Sequence, residues 1–366
     1  MIVAYSYKYG EGVKKDDEQS YNHFMYLHKK GNANATYELS LMYKSGRYVE
    51  ENIAVSNKLL ATAANLNYPP ALNDLGYVYE EGIGLEPSIE KAFIYYKKAS
   101  DLGHAVATSN LALFYKSGKY VKQDYKIAFN LFEKAASLNE KSSYNQLGWF
   151  YENGQYVEKN LEKAFECYLK SAKLGHPNGM NNTGYFYENG IGVAKDLSNA
   201  FYWYEKAANK DNVYGMKNLA TFYFLGKGCQ MDSDKGMYWL QKAADRGHPS
   251  ALVSLGYKYE KGDKVPQSYQ KAFELYEQAA KKGHPTAMNN LGVFYEHGWY
   301  VSKNIFIAFE YYKSAAAKNE ATAICNLGLC YKYGRGVQVN KTYAKTLFKQ
   351  AMSLGNTLAE KYYNET

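Results

Sequence analysis

A fixed period of 36 residues constrains this chain more than any other feature of its sequence. A tyrosine followed three residues later by a glycine recurs ten times, with no insertion or deletion between copies. Such a period in a chain of 366 residues is typical of a repeat protein, in which each copy is one supersecondary unit. We therefore give every residue a repeat position, which is its number modulo 36. The tyrosines, at position 7, are Tyr7, Tyr43, Tyr79, Tyr115, Tyr151, Tyr187, Tyr223, Tyr259, Tyr295 and Tyr331.

Three repeat positions carry residues that start or stop a helix. Position 16 is always Asp, Asn or Ser, whose side-chain oxygens accept a backbone N–H at a helix N-cap. Position 10 is always Gly, and position 31 is Gly, Asn or Asp, as the left-handed residue after a helix requires. These signals predict a helix A from about position 33 to position 8 and a helix B from about position 17 to position 30.

Apolar and small residues recur at helical spacing along both helices. They occupy positions 36, 3, 4 and 7 of helix A and positions 20, 24, 27 and 28 of helix B. One hairpin of two such helices cannot bury its apolar face, whereas stacked copies bury a continuous core. The sequence therefore predicts an all-α fold: a right-handed α/α superhelical solenoid of ten 36-residue repeats plus a partial eleventh helix A.

The period predicts one domain over residues 1–366, because no linker or change in composition interrupts it. Both ends fall inside a predicted helix A, with a terminal helix at 356–366, so we expect a fragment or a longer natural form. The predicted repeat ends are Gly31, Asn67, Gly103, Asn139, Gly175, Asp211, Gly247, Gly283, Asn319 and Gly355.

One copy of the repeat contains Leu75, Gly76, Tyr79, Gly82, Gly84, Ala92, Phe93, Tyr96, Lys98 and Ala99. This pattern resembles the SLR family (Sel-one-like repeats), which are tetratricopeptide-related α/α solenoids. The resemblance covers the whole chain and implies a non-catalytic scaffold or adaptor that binds a protein or peptide on the concave, helix-A side. It also leaves open a regulatory or targeting segment of a larger protein, such as a kinase or a synthase activator.

The four cysteines separate this chain from a disulfide-stapled, secreted branch of that family. They occupy four different repeat positions, so no pair recurs from repeat to repeat. Unpaired cysteines favour a reducing compartment, and we expect a cytoplasmic protein. These cysteines are Cys167, Cys229, Cys325 and Cys330.

Position 2 of helix A supplies the first candidate partner-binding residues. It is polar in nine copies, and five of these are Asn. A primary amide both donates and accepts, so a ladder of amides is able to hold an extended peptide whatever its sequence. The alternative is that these amides bond to neighbouring helices or face water. The candidates are Asn110, Gln146, Asn182, Asn218, Asn290 and Asn326.

Positions 5 and 8 flank the amides. The aromatic residues at position 5, which are Tyr77, Trp149, Tyr185 and Tyr257, are candidate anchors for a partner, with packing between repeats as the alternative. Position 8 is mostly charged, and we interpret it as a solvated rim.

The repeat positions give a structural explanation for each apparent motif for catalysis or ligand binding. Ser88 and Ser268 begin an S-x-x-K pattern, but both stand at position 16, where they are predicted N-caps. The Gly-x-Gly loops follow helices rather than strands and lack a third glycine. Four histidines share position 32 and are interpreted as turn residues on separate repeats: His104, His176, His248 and His284.

We therefore expect no enzyme, no cofactor, no metal and no small-molecule substrate. A net charge of +8 permits nucleic-acid binding, but the lysines of helix B alternate with acidic residues, which argues against it. A hydrolase is a third alternative, for which no paired catalytic residues are present. No run of 18 apolar residues occurs, so no membrane span is expected.

Overall fold

The computed structural model describes residues 1–366 and contains 21 α-helices and no strand, which confirms the all-α prediction. The chain divides into two compact units, Met1–Ala194 and Lys195–Thr366. Within each unit, every helix packs against the next one along the chain. Odd-numbered helices correspond to helix A and even-numbered helices to helix B.

Unit 1, Met1–Ala194, contains the first eleven helices. They are α1 (Ile2–Tyr9), α2 (Asp17–Lys29), α3 (Ala33–Ser45), α4 (Ile53–Asn65), α5 (Pro69–Glu81), α6 (Ile89–Asp101), α7 (Ala105–Ser117), α8 (Tyr125–Ser137), α9 (Lys141–Asn153), α10 (Leu161–Lys173) and α11 (Pro177–Asn189).

Unit 2, Lys195–Thr366, contains the remaining ten helices. They are α12 (Leu197–Asn209), α13 (Val213–Leu225), α14 (Ser233–Asp245), α15 (Pro249–Lys261), α16 (Tyr269–Lys281), α17 (Pro285–His297), α18 (Ile305–Ala316), α19 (Ala321–Tyr333), α20 (Lys341–Ser353) and α21 (Leu358–Asn364).

The predicted helix-start and helix-stop residues are confirmed. All ten residues at position 16 cap a helix B; for example, Asp16 accepts the Gln19 N–H at 3.0 Å. The glycines at position 10 all lie in the left-handed region, with φ between 62° and 78°. Position 31 is left-handed in every copy as well, with φ between 56° and 88°. Helix boundaries therefore follow directly from local residue chemistry.

The histidines at position 32 are more than turn residues, because three of them cap a helix A. Nδ1 of His104, His176 and His248 accepts a backbone N–H of the following helix, each at 3.2 Å. Burial lowers the pKa of all three histidines. Only an unprotonated Nδ1 is able to accept this hydrogen bond.

Tyrosine occupies the left-handed region at position 12 in four loops, with φ between 62° and 68°. Each ring packs against an aromatic ring at position 21, as Tyr120 does against Phe93 at a centroid distance of 5.4 Å. This contact offsets the roughly 1–2 kcal/mol that the left-handed region costs a residue with a Cβ atom. The four tyrosines are Tyr48, Tyr120, Tyr156 and Tyr300.

The core of each hairpin centres on the side chain at position 24 of helix B. In α10 this is Tyr168, whose ring lies directly against the Cα of Gly148 in α9. A Cβ atom on Gly148 would lie 2.7 Å from two ring carbons, which is too close for contact. The glycine costs the helix up to about 1 kcal/mol relative to alanine, but it lets a large ring enter the hairpin. Gly76, Gly256 and Gly292 stand against the corresponding tyrosine rings in the same way.

The hydroxyl group of the buried tyrosine donates to the glutamate at position 8 of the same hairpin. Tyr168 donates to Glu152 at 2.6 Å, and Tyr96 donates to Glu80 at 2.8 Å. Burial, together with the glutamate, raises the pKa of both tyrosines. The interpretation of position 8 as a solvated rim is therefore wrong for these glutamates, whose carboxylates satisfy a buried hydroxyl. The same bond joins Tyr276 to Glu260 and Tyr312 to Glu296.

We predict that Gly148→Ala destabilises unit 1, because the new methyl group overlaps the Tyr168 ring. Overpacking of this kind costs roughly 1–3 kcal/mol. The double variant Gly148→Ala, Tyr168→Leu should regain part of that loss, since it reproduces the pair Ala220 and Leu240 that unit 2 uses. Urea unfolding followed by circular dichroism measures both variants. A single variant as stable as the wild type would contradict this packing.

We predict that the free energy of unfolding falls as the pH drops below about 6.5, the ordinary pKa of histidine. Protonation of the three buried histidines removes the Nδ1 acceptors that cap these helices. The folded-state pKa lies below the unfolded one, so the stabilisation is complete above pH 6.5 and decreases as the pH falls. Asparagine caps α3 and α13 at the same position, at 2.9 and 2.7 Å. The triple variant His104→Asn, His176→Asn, His248→Asn should therefore show a flatter pH dependence of its urea midpoint. An unchanged slope would disprove the cap assignment.

Candidate functional site

The predicted site residues lie on the A helices, at positions that the hairpin core does not use. We call the surface formed by positions 1, 2 and 5 of these helices the helix-A face. It is described below for each unit separately.

Amides at position 2 join neighbouring A helices through the amides at position 1. Nδ2 of Asn110 in α7 donates to Oδ1 of Asn73 in α5 at 3.1 Å. The Asn182–Asn145 pair in unit 1 and the Asn326–Asn289 pair in unit 2 repeat this bond, each at 2.9 Å. These three candidates therefore stabilise the stacking of helices. Each amide retains one further N–H, so their role in peptide binding stays a prediction.

The other candidate amides have different partners. Gln146 accepts from the Lys116 ammonium at 2.7 Å. Asn290 accepts from its neighbour Asn289 at 3.4 Å. Asn218 is half-buried on α13. No single arrangement therefore serves all six amides that the sequence groups together.

Three of the four aromatic candidates at position 5 are about half exposed. The exposed fractions are 45% for Tyr77, 46% for Tyr185 and 52% for Tyr257. Trp149 differs, because the Lys116 ammonium lies 3.5 Å from the centroid of its ring. Burial lowers the pKa of Lys116 to about 8. The tyrosines thus offer apolar contact area to a partner, whereas one face of the Trp149 ring is already covered by Lys116.

A cavity of about 600 Å³ opens on the helix-A face of unit 2, among α13, α15 and α17. It lies where the amide pairs stop, because position 1 here is Lys217 and Val253 rather than asparagine. Two large apolar residues at its edge are exposed, Tyr257 and Leu225. The volume lies within the roughly 300–1,000 Å³ of typical ligand-binding sites.

Side-chain substitutions relative to the other repeats create this cavity. Phe224 replaces the charged residue of position 8, and its ring packs where a Cβ atom of Gly236 would lie, at 2.7 Å. Leu240 stands at position 24, which is a ring in eight of the ten copies. Thr221 and Ser254 are shorter than most of their counterparts at positions 5 and 2. Together these changes remove volume from the helix-A face.

Two lysines line the cavity with different partners. Lys258 pairs with Asp263 at 2.8 Å, and its ammonium lies 4.3 Å from the centroid of the Phe224 ring. The Lys217 ammonium makes no ion pair. The lining therefore carries a net positive charge beside an apolar floor.

Sequence reasoning missed this cavity, although the sequence contains a signal for it. We examined what the copies share, whereas Phe224 departs from the charged residues of position 8 and Leu240 from the rings of position 24. Lys217 and Val253 stand at position 1, where four other copies have Asn. Clustering of such departures in two consecutive copies is the observation that could have located the cavity.

The remaining side chains offer little chemistry. No group of three or more His, Cys, Asp or Glu side chains is placed to hold a metal ion. All four cysteines are free, and burial raises the pKa of Cys325 to about 11 and of Cys330 to about 12. None of the helices combines the length and the apolar character that crossing a bilayer requires.

Comparison with known proteins identifies the repeat. A family model described as Sel1 repeat matches residues 2–24, 33–68, 69–104, 105–140, 141–176, 177–212, 213–248, 249–284, 285–320 and 321–356. No curated relative matches the chain in sequence.

Two solved structures share this architecture. A protective antigen of uropathogenic Escherichia coli strains that displays an SLR fold is 28% identical, with a TM-score of 0.69 over 99% of this chain and 78% of that one. A Sel1 repeat protein from Oxalobacter formigenes is also 28% identical, with a TM-score of 0.59 over 66% of this chain and 96% of that one.

We predict that Lys116 titrates near pH 8, because burial against Trp149 disfavours its charged form. Reductive methylation with ¹³C-formaldehyde and an NMR pH titration would resolve its signal, which Lys116→Arg identifies by its loss. The variant Trp149→Ala exposes the ammonium and should raise this pKa toward its ordinary value of 10.5. A wild-type Lys116 that titrates near that ordinary value would contradict the described burial.

Proposed function

Because the chain belongs to the Sel1 repeat family, whose members are generally protein-interaction scaffolds, we propose that it is a non-catalytic scaffold that binds a peptide or partner protein on its helix-A face. The observation that carries this proposal is the exposure of large aromatic residues on that face in both units. Tyr77 and Tyr185 in unit 1 and Tyr257 in unit 2 each expose about half of their surface. Tyrosine is enriched among the residues that dominate binding energy at protein interfaces.

The polar surroundings of these rings support the same proposal. Position 2 on the same helices is polar: Asp74 with Tyr77, Asn182 with Tyr185 and Ser254 with Tyr257. The Asn182 amide keeps one N–H beyond its bond to Asn145. A partner that packs on the ring could also hydrogen-bond to the amide, which fixes its orientation. The four free cysteines fit a reducing compartment such as the cytoplasm.

We predict that the triple variant Tyr77→Ser, Tyr185→Ser, Tyr257→Ser loses at least tenfold in recovery of bound protein. The measurement is affinity capture from an extract of the cells that make the chain, quantified by mass spectrometry. Tyr26→Ser, Tyr202→Ser, Tyr238→Ser is the matched control, since these helix-B tyrosines expose 57%, 45% and 53% of their surface. Retention of every partner by the helix-A variant, or loss only in the helix-B control, would refute the proposal.

The amides need a separate variant. Asn182→Ala, Asn218→Ala, Asn290→Ala tests whether they contribute to partner binding, provided that circular dichroism shows a folded protein. Unchanged recovery from the folded triple variant would leave these residues with a structural role alone.

A further inference from the structure

We propose that the cavity among α13, α15 and α17 binds a short extended segment of a partner protein in which a large apolar side chain lies next to a carboxylate. This inference rests on the proposed scaffold function and adds the chemistry of the segment that the scaffold binds. It is carried by the lining of the cavity, by its unpaired charge and by its place on the helix-A face.

The floor of the cavity selects an apolar side chain. Phe224, Leu240 and Val253 line it, and Ala220 adds a small side chain on the same helix as Phe224. Transfer of a large apolar side chain from water onto such a floor contributes about 1.5–3 kcal/mol. Tyr257 at the edge is half exposed and would close over the bound side chain.

The charge of the lining selects a carboxylate. Lys217 and Lys258 contribute two ammonium groups, and Asp263 contributes the single carboxylate, which is bound to Lys258. The Lys217 ammonium has no acidic partner, so an incoming carboxylate would supply one. A charge-assisted hydrogen bond of this kind is about twice as strong as one between neutral groups.

The polar side chains at the cavity favour a peptide backbone over a compact small molecule. Thr221 and Ser254 donate to carbonyls of their own helices, at 3.1 and 2.9 Å, and so present oxygens that accept. Asn290 contributes the N–H groups of its amide as donors. Acceptors and a donor along one groove match the N–H and C=O groups of an extended chain.

The test starts from peptides of random sequence. A phage-displayed library of 12-residue peptides is panned against the full chain, with counter-selection on Thr221→Trp, whose ring fills the cavity. We expect enriched peptides that share a large apolar residue adjacent to Asp or Glu. A synthetic peptide of that consensus should bind the wild type at least tenfold more tightly than Thr221→Trp and about fivefold more tightly than Lys217→Glu.

Two variants serve as matched controls. Leu113→Trp adds the same ring at position 5 of α7 in unit 1, and Lys349→Glu reverses an exposed charge on α20; both should leave the affinity unchanged. Replacement of the acidic residue of the peptide by its amide should remove the difference between wild type and Lys217→Glu. If Thr221→Trp does not fold, Ser254→Leu fills the same cavity from α15.

The outcomes separate this inference from the proposed function. A consensus without an acidic residue, or an affinity that Thr221→Trp leaves unchanged, overturns the inference. If the enriched peptides nevertheless bind the variant Tyr77→Ser, Tyr185→Ser, Tyr257→Ser less tightly than the wild type, the proposed scaffold function is retained. Peptides that depend only on helix-B tyrosines overturn both. Self-association in analytical ultracentrifugation that Thr221→Trp abolishes would assign the cavity to a second copy, and would also overturn the inference.

Discussion

Burial of the side chain at position 24 of helix B against helix A is the interaction on which the rest of the structure depends. The ring of Tyr168 fits only because Gly148 lacks a Cβ atom, and its hydroxyl is tolerated inside the hairpin only because Glu152 accepts its hydrogen bond. Gly, Glu and Tyr occur together at positions 4, 8 and 24 in five repeats. Where position 24 is Phe, position 8 is Lys. The residues of one hairpin therefore form a packed core in which the buried tyrosine hydroxyl has a hydrogen-bond acceptor.

The helix-A face contains two kinds of site: asparagine pairs that join neighbouring helices, and a cavity. In unit 1, the asparagine pairs Asn73–Asn110 and Asn145–Asn182 each join two neighbouring A helices. In unit 2, the change to Lys217 and Val253 interrupts the pairing, and a cavity opens at that point. In the scaffold that we propose, the regular copies contribute stability, and the copies that depart from them would contribute selectivity for a partner.

Local chemistry explains how much the sequence could predict. Caps such as Asp16 and left-handed glycines such as Gly10 act within one or two turns of the chain, so helix boundaries could be read directly. The role of Glu152 could not be derived from position 8 alone, because it depends on a tyrosine 16 residues away; only comparison of the two positions across copies shows it. The cavity depends on side-chain volumes from three helices at once, which no single pattern along the chain contains.

The central claim is that partners bind the helix-A face while the helix-B side chains remain free. Hydrogen–deuterium exchange of the full chain, alone and with a captured partner, tests it most directly. The account predicts that protection on binding concentrates in A helices, above all α13, α15 and α17, with little change in α14, α16 and α18. Protection confined to those B helices, with the A helices unaffected, would contradict it.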